Sequence, residues 1–119
     1  MSKKQFYALH GYVDSVDGNA KIGYLRYDGF DVPNEYGFDL AVYKTVKSGD
    51  ANSAFKPIGI WYVVDCACGL AVGEGSSRTK AIANAIEKLE KLDEEWYQKK
   101  VRSVIDQYGY PPGKGIYFL

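Results

Sequence analysis

The sequence holds one histidine, His10, and two cysteines, Cys66 and Cys68, in 119 residues. A single histidine excludes a multi-histidine metal site within one subunit and removes most imidazole acid/base pairs. On a strand, His10 is read as a surface or packing residue. The C-x-C pair has no further cysteine or histidine nearby, which is too few ligands for zinc. Two cysteines two positions apart on an extended strand share a face without disulfide geometry, so free thiols in a reducing compartment are expected. No apolar run reaches signal-peptide or transmembrane length, which gives the cytoplasm as the expected location. Charge of either sign is not in excess: 15 Lys and Arg meet 15 Asp and Glu. No global field therefore steers the chain to nucleic acid or membrane, and any charge-driven binding must be local.

Tyrosine is abundant, with 11 copies beside 5 Phe and 2 Trp. It offers large contact area at low rotamer cost, and it also favours strands. The length suits a single domain, residues 1–119, with a core that needs no staple.

Alternation over Phe6–Val13 and Lys21–Tyr27 around Asp17-Gly18 predicts an opening β-hairpin. Asp28–Gly37 carries Gly, Pro and Asn and reads as a loop. Phe38–Val46 reads as a strand or a short helix, and Ser48–Pro57 as a second polar loop. Ile58–Val64 is the most apolar segment and the expected central strand. A turn over Asp65–Gly69 leads to a short strand, Leu70–Val72, with the extended pattern ending at Gly73-Glu74-Gly75. Ser77 is a candidate helix cap, and Ala81, Ile82, Ala85, Ile86, Leu89 and Leu92 form one apolar stripe. Asp93 suits the start of a second helix bearing Trp96, Val101, Val104, Ile105 and Tyr108, although one bent helix fits equally. Gly109 is the natural cap before Pro111-Pro112, and Ile116–Leu119 could add an edge strand or dock on the core. The fold class expected is α+β, an antiparallel sheet of about four or five strands packed against a C-terminal helix or helix pair.

No catalytic, cofactor or metal residue emerges. Ser76, Ser77 and Thr79 have no base partner in sequence. The glycines at 69, 73 and 75 lack the Lys-Ser/Thr of a phosphate loop, and Gly-Lys-Gly at 113–115 precedes no helix. A non-enzymatic binding protein is the expectation. Asp14, Asp17, Asp28, Asp31, Glu35 and Asp39 outnumber Lys21 and Arg26, without the alternate-position spacing of a calcium loop. Together with tyrosine they suggest a partner-binding surface of Tyr24, Tyr27, Asp28, Asp31, Glu35 and Tyr36, suited to a protein with a basic nucleic-acid groove.

Gly73, Gly75, Ser77, Ala81 and Ala85 match the pattern G-x-G-x-S-K-K-x-A-K-x-x-A-A, so residues 73–89 resemble the closing strand and helix of double-stranded-RNA-binding domains. In that family the lysines at the helix start grip phosphates. The resemblance carries this role to Arg78, with Lys80 as a displaced cation and Thr79 and Ile82 at the other two positions. RNA or DNA binding through Arg78 and Lys80 is the alternative function it implies. The order of elements from Trp61 to Leu92 is similar to that of small accessory proteins of phages and mobile elements, anti-CRISPR inhibitors among them. That likeness implies a non-catalytic inhibitor of a host or defence macromolecule.

Overall fold

The computed structural model describes residues 2–13, 16–44 and 59–112. Among these, five strands precede two helices: β1 (Lys3–Val13), β2 (Ala20–Val32), β3 (Leu40–Lys44), β4 (Trp61–Asp65), β5 (Leu70–Gly75), α1 (Arg78–Glu90) and α2 (Glu94–Tyr108). The strands form one antiparallel sheet in sequence order, so the architecture is α+β as expected. The polar segment 48–57 and the tail 116–119 lie outside the described residues.

The β1–β2 hairpin runs in register from Lys3 opposite Phe30 to Val13 opposite Ala20. Its turn uses Gly18 at φ +71°, and the Asn19 N–H donates to Asp17 Oδ1 at 2.9 Å. β2 continues through Asp28–Val32, where a loop was expected. The reason is Gly29: a Cβ there would lie 2.2 Å from the Val42 carbonyl oxygen, so the glycine serves close approach of β3 rather than a turn. The chain turns later, around Asn34. Its side chain accepts from the N–H groups of Tyr36 and Phe38 and donates to the carbonyls of Val32 and Phe38.

Phe38–Val46 resolves as a strand over Leu40–Lys44, paired on both sides. Leu40 and Val42 face the helices, where Val63, Val72, Ala81, Ala85, Leu89 and Tyr97 complete a buried cluster. Ala41 and Tyr43 face the other way, into a cluster with Phe6, Tyr27, Tyr62 and Val64. Both faces of the central strands are therefore buried, which explains the unbroken apolar runs in β3 and β4.

The second face is covered by the hairpin itself. Only Phe30–Val32 of β2 pairs with β3. Beyond that point the hairpin departs, and the Leu9 N–H donates to the Gly69 carbonyl at the β4–β5 turn, 2.9 Å away. Tyr43 packs centrally beneath it, its ring 4.4 Å from Tyr27 and 5.4 Å from Phe6.

β5 also runs longer than expected, through Gly75. A Cβ on Gly73 would lie 2.7 Å from Ala85, and one on Gly75 would lie 2.7 Å from the Ala81 nitrogen. These glycines let α1 sit directly on β5; they do not end the strand. The helical region is two helices. Ser77 Oγ accepts from the Lys80 N–H, and Asp93 Oδ1 accepts from the Trp96 N–H, so each helix has its own N-terminal cap. Gly109, at φ +77°, closes α2.

Candidate functional site

The six residues expected to meet a partner do not share a face. Strand alternation sends Tyr24 and Asp28 to one side of β2 and Tyr27 and Asp31 to the other. Tyr27, expected at the surface, is only 7% exposed, because its ring is part of the aromatic cluster under the hairpin. Tyr24 lies against Gly69 and donates to the Gly109 carbonyl at 2.6 Å; burial first, and Cys68 second, push its pKa up to about 12. Tyr36 is half-buried against the helix-side core. The Lys4 ammonium bridges Asp31, at 3.1 Å, and Asp39. Burial lowers the Lys4 pKa, but the hydrogen bonds to Asp39 and Asp31 outweigh it and leave the group raised. Asp28 and Glu35 remain exposed.

Arg78 and Lys80 are both exposed in the first turn of α1. The Arg78 guanidinium lies 5.2 Å from the centre of the Phe30 ring, a cation–π contact that ties it to β2. Gly73, Gly75, Ala81 and Ala85, which carry the double-stranded-RNA-binding resemblance, are the residues at which β5 and α1 touch. In this chain they serve helix–strand packing.

The thiols lie in the β4–β5 turn rather than on a strand, and both are buried and outside any disulfide. Asp65 ends β4 and is 3% exposed. Its backbone carbonyl accepts from Cys68 and Gly69, and its Oδ1 accepts from the Ala67 N–H at 2.9 Å. The Tyr97 hydroxyl donates to its Oδ2. Burial, helped by the Asp65 charge, raises the Cys68 thiol to about 11, so it is protonated and unreactive at neutral pH. Among the described residues, no group of His, Cys, Asp and Glu is placed to hold a metal, and no helix is long and apolar enough to cross a membrane.

A surface feature outside the expected set is better formed. Trp96 is 58% exposed on the first turns of α2. It borders an apolar groove of about 500 Å³ between the start of β5 and the α1–α2 corner, floored by Val72 and Leu89 and flanked by Leu70 and Leu92. Lys88 and Lys91 from α1 and Lys100 from α2 rim it. The stripe expected on the second helix included Trp96. The inward stripe is instead Tyr97, Val101, Val104 and Tyr108, at steps of four, three and four, of which Tyr97 and Val104 are buried and the other two half-buried. Reading that period would have left Trp96 one position off the stripe and pointing outward.

No family model matches this chain, and neither a curated protein nor a solved structure matches it.

Proposed function

We propose that this chain is a non-catalytic protein-binding domain, a phage or mobile-element product that acts by occupying a host or defence protein. The observation that carries the reading is Trp96, 58% exposed beside an apolar groove rimmed by lysines. A tryptophan left in water gains more from burial in a partner than any other side chain, and such residues dominate binding energy at protein interfaces. The buried reactive groups support a binding role from the other direction: Asp65 is held by Tyr97 and the Ala67 N–H, and the thiols are interior. The phage or mobile-element origin rests on the similarity in element order over Trp61 to Leu92.

The test is affinity capture from a bacterial lysate by the immobilised chain, with Trp96→Ala as the control. A protein retained by the parent and lost by a variant of unchanged melting temperature supports the reading. Identical capture by both chains overturns it. A partner with a basic groove would instead meet Asp28 and Glu35, and its capture would depend on those two carboxylates.

Nucleic-acid binding is the second reading, favoured by the exposure of both Arg78 and Lys80 at the start of α1. It requires salt-steep binding of duplex RNA or DNA that is lost on Arg78→Glu with Lys80→Glu.

A further inference from the structure

We infer that the partner segment seated in the Trp96 groove is acidic, with one apolar side chain inserted between Trp96, Leu70 and Leu92 and flanking carboxylates on Lys88 and Lys100. The inference rests on the proposed protein-binding role of this groove and adds the chemistry of what it binds.

The groove has an apolar floor and a basic rim. Val72, Leu89 and Tyr97 form the floor and are themselves core residues, so it is fixed by the packing of β5 against the two helices. A preformed apolar cleft of this size takes a side chain such as Leu, Phe or Met and expels the water that now covers Trp96. The rim cations differ in their availability. Lys91 already holds Glu87, at 3.0 Å, whereas Lys88 and Lys100 have no ion pair among the described residues. Lys100 lies four residues after Trp96, on the same side of α2, so a carboxylate adjoining the inserted side chain reaches it without crossing the groove. Asp93 is the one acid on the rim, and its carboxylate is engaged by the Trp96 N–H as the cap of α2. The lining therefore carries three cations against one carboxylate around an apolar centre, which selects an apolar residue flanked by Asp or Glu and repels a basic one. The apolar lining favours a protein side chain over a phosphate backbone, which needs cations along its whole track.

The experiment uses fluorescent peptide pools with a central Leu, Phe or Met, flanked by Asp/Glu, by Ser/Gln or by Lys/Arg, titrated against the full chain at low and high salt. The acidic pool should bind best, with an advantage over the neutral pool of roughly fivefold to tenfold at low salt that shrinks at high salt. Trp96→Ala should weaken it by about thirtyfold. Lys88→Glu with Lys100→Glu should reverse the order of the acidic and basic pools while the chain still melts cooperatively. Equal binding of all pools, preference for the basic pool, or tighter binding of oligouridylate than of any peptide would overturn the inference. Failure of the inference is separable from failure of the binding role. A lysate protein whose capture needs Trp96 but is indifferent to Lys88→Glu with Lys100→Glu leaves the role standing and rejects the acidic partner.

Discussion

Tyr97 on α2 donates its hydroxyl to the buried carboxylate of Asp65 at the end of β4, and this bond joins the second helix to the turn that carries both cysteines. Tyr97→Phe keeps the ring that packs edge-on against Phe38, 5.2 Å between centres, and removes only the donor. The variant should lose about 1.5–3 kcal/mol in urea unfolding, the range for a hydrogen bond to a charged group. A loss below about 0.5 kcal/mol, within the scatter of surface substitutions, would mean that water replaces the hydroxyl.

Alkaline pH should destabilise the fold through Cys68. Its thiol titrates near 11 in the folded chain against a reference of 9.0, so the folded state prefers the protonated form. That contribution is complete below pH 9 and is lost as pH rises from 9 to 11, a total of roughly 2–3 kcal/mol. Tyr43 and Tyr97 are also shifted upward by burial, so the decline continues above pH 10. Cys68→Ala should flatten the first part of this decline in denaturant melts recorded at successive pH values. An unchanged slope between pH 9 and 10 would show that the thiol ionises as freely in the fold as in the open chain. In the native protein both thiols should resist a chromogenic disulfide reagent at neutral pH and react fully on unfolding.

Gly73→Ala should cost about 1–3 kcal/mol by overpacking, since the added methyl would sit 2.7 Å from the Cα, Cβ and nitrogen of Ala85. Adding Ala85→Gly should not restore the loss, because two of the three crowding atoms are backbone. Rescue by that second change would show that only the two methyl groups compete for the space.

Much of the architecture was legible from sequence. The hairpin, the apolar central strand, the α1 stripe and the caps Ser77, Asp93 and Gly109 all follow from alternation, helical period and capping chemistry, which are local. Glycine was the main source of error. Gly29, Gly73 and Gly75 read as breaks in extended structure, yet each stands where a neighbouring backbone comes too close for a Cβ, and nothing local distinguishes that use from a turn. The expected binding surface is divided for a similar reason. Tyr27 and Asp31 are directed by the folding-over of the hairpin, and Lys4 reaches Asp31 and Asp39 only after β1 has paired. The Trp96 groove needs β5, α1 and α2 together, so no single segment announces it.

The contact between Tyr24 and Gly109 spans 85 residues of chain. Loop-closure entropy for a tie of that length is lost before the contact returns anything, so long-range closure of this kind belongs late on a folding pathway. The meander β3–β5 with α1 can assemble from neighbours in sequence, whereas the hairpin can settle over Tyr43 only once the β4–β5 turn and the end of α2 are in place. Its latch is then absent from the rate-limiting step. Tyr24→Phe is expected to accelerate unfolding in stopped-flow measurements while the refolding rate stays constant, which makes the hydroxyl a determinant of how long the native state lasts rather than how fast it forms.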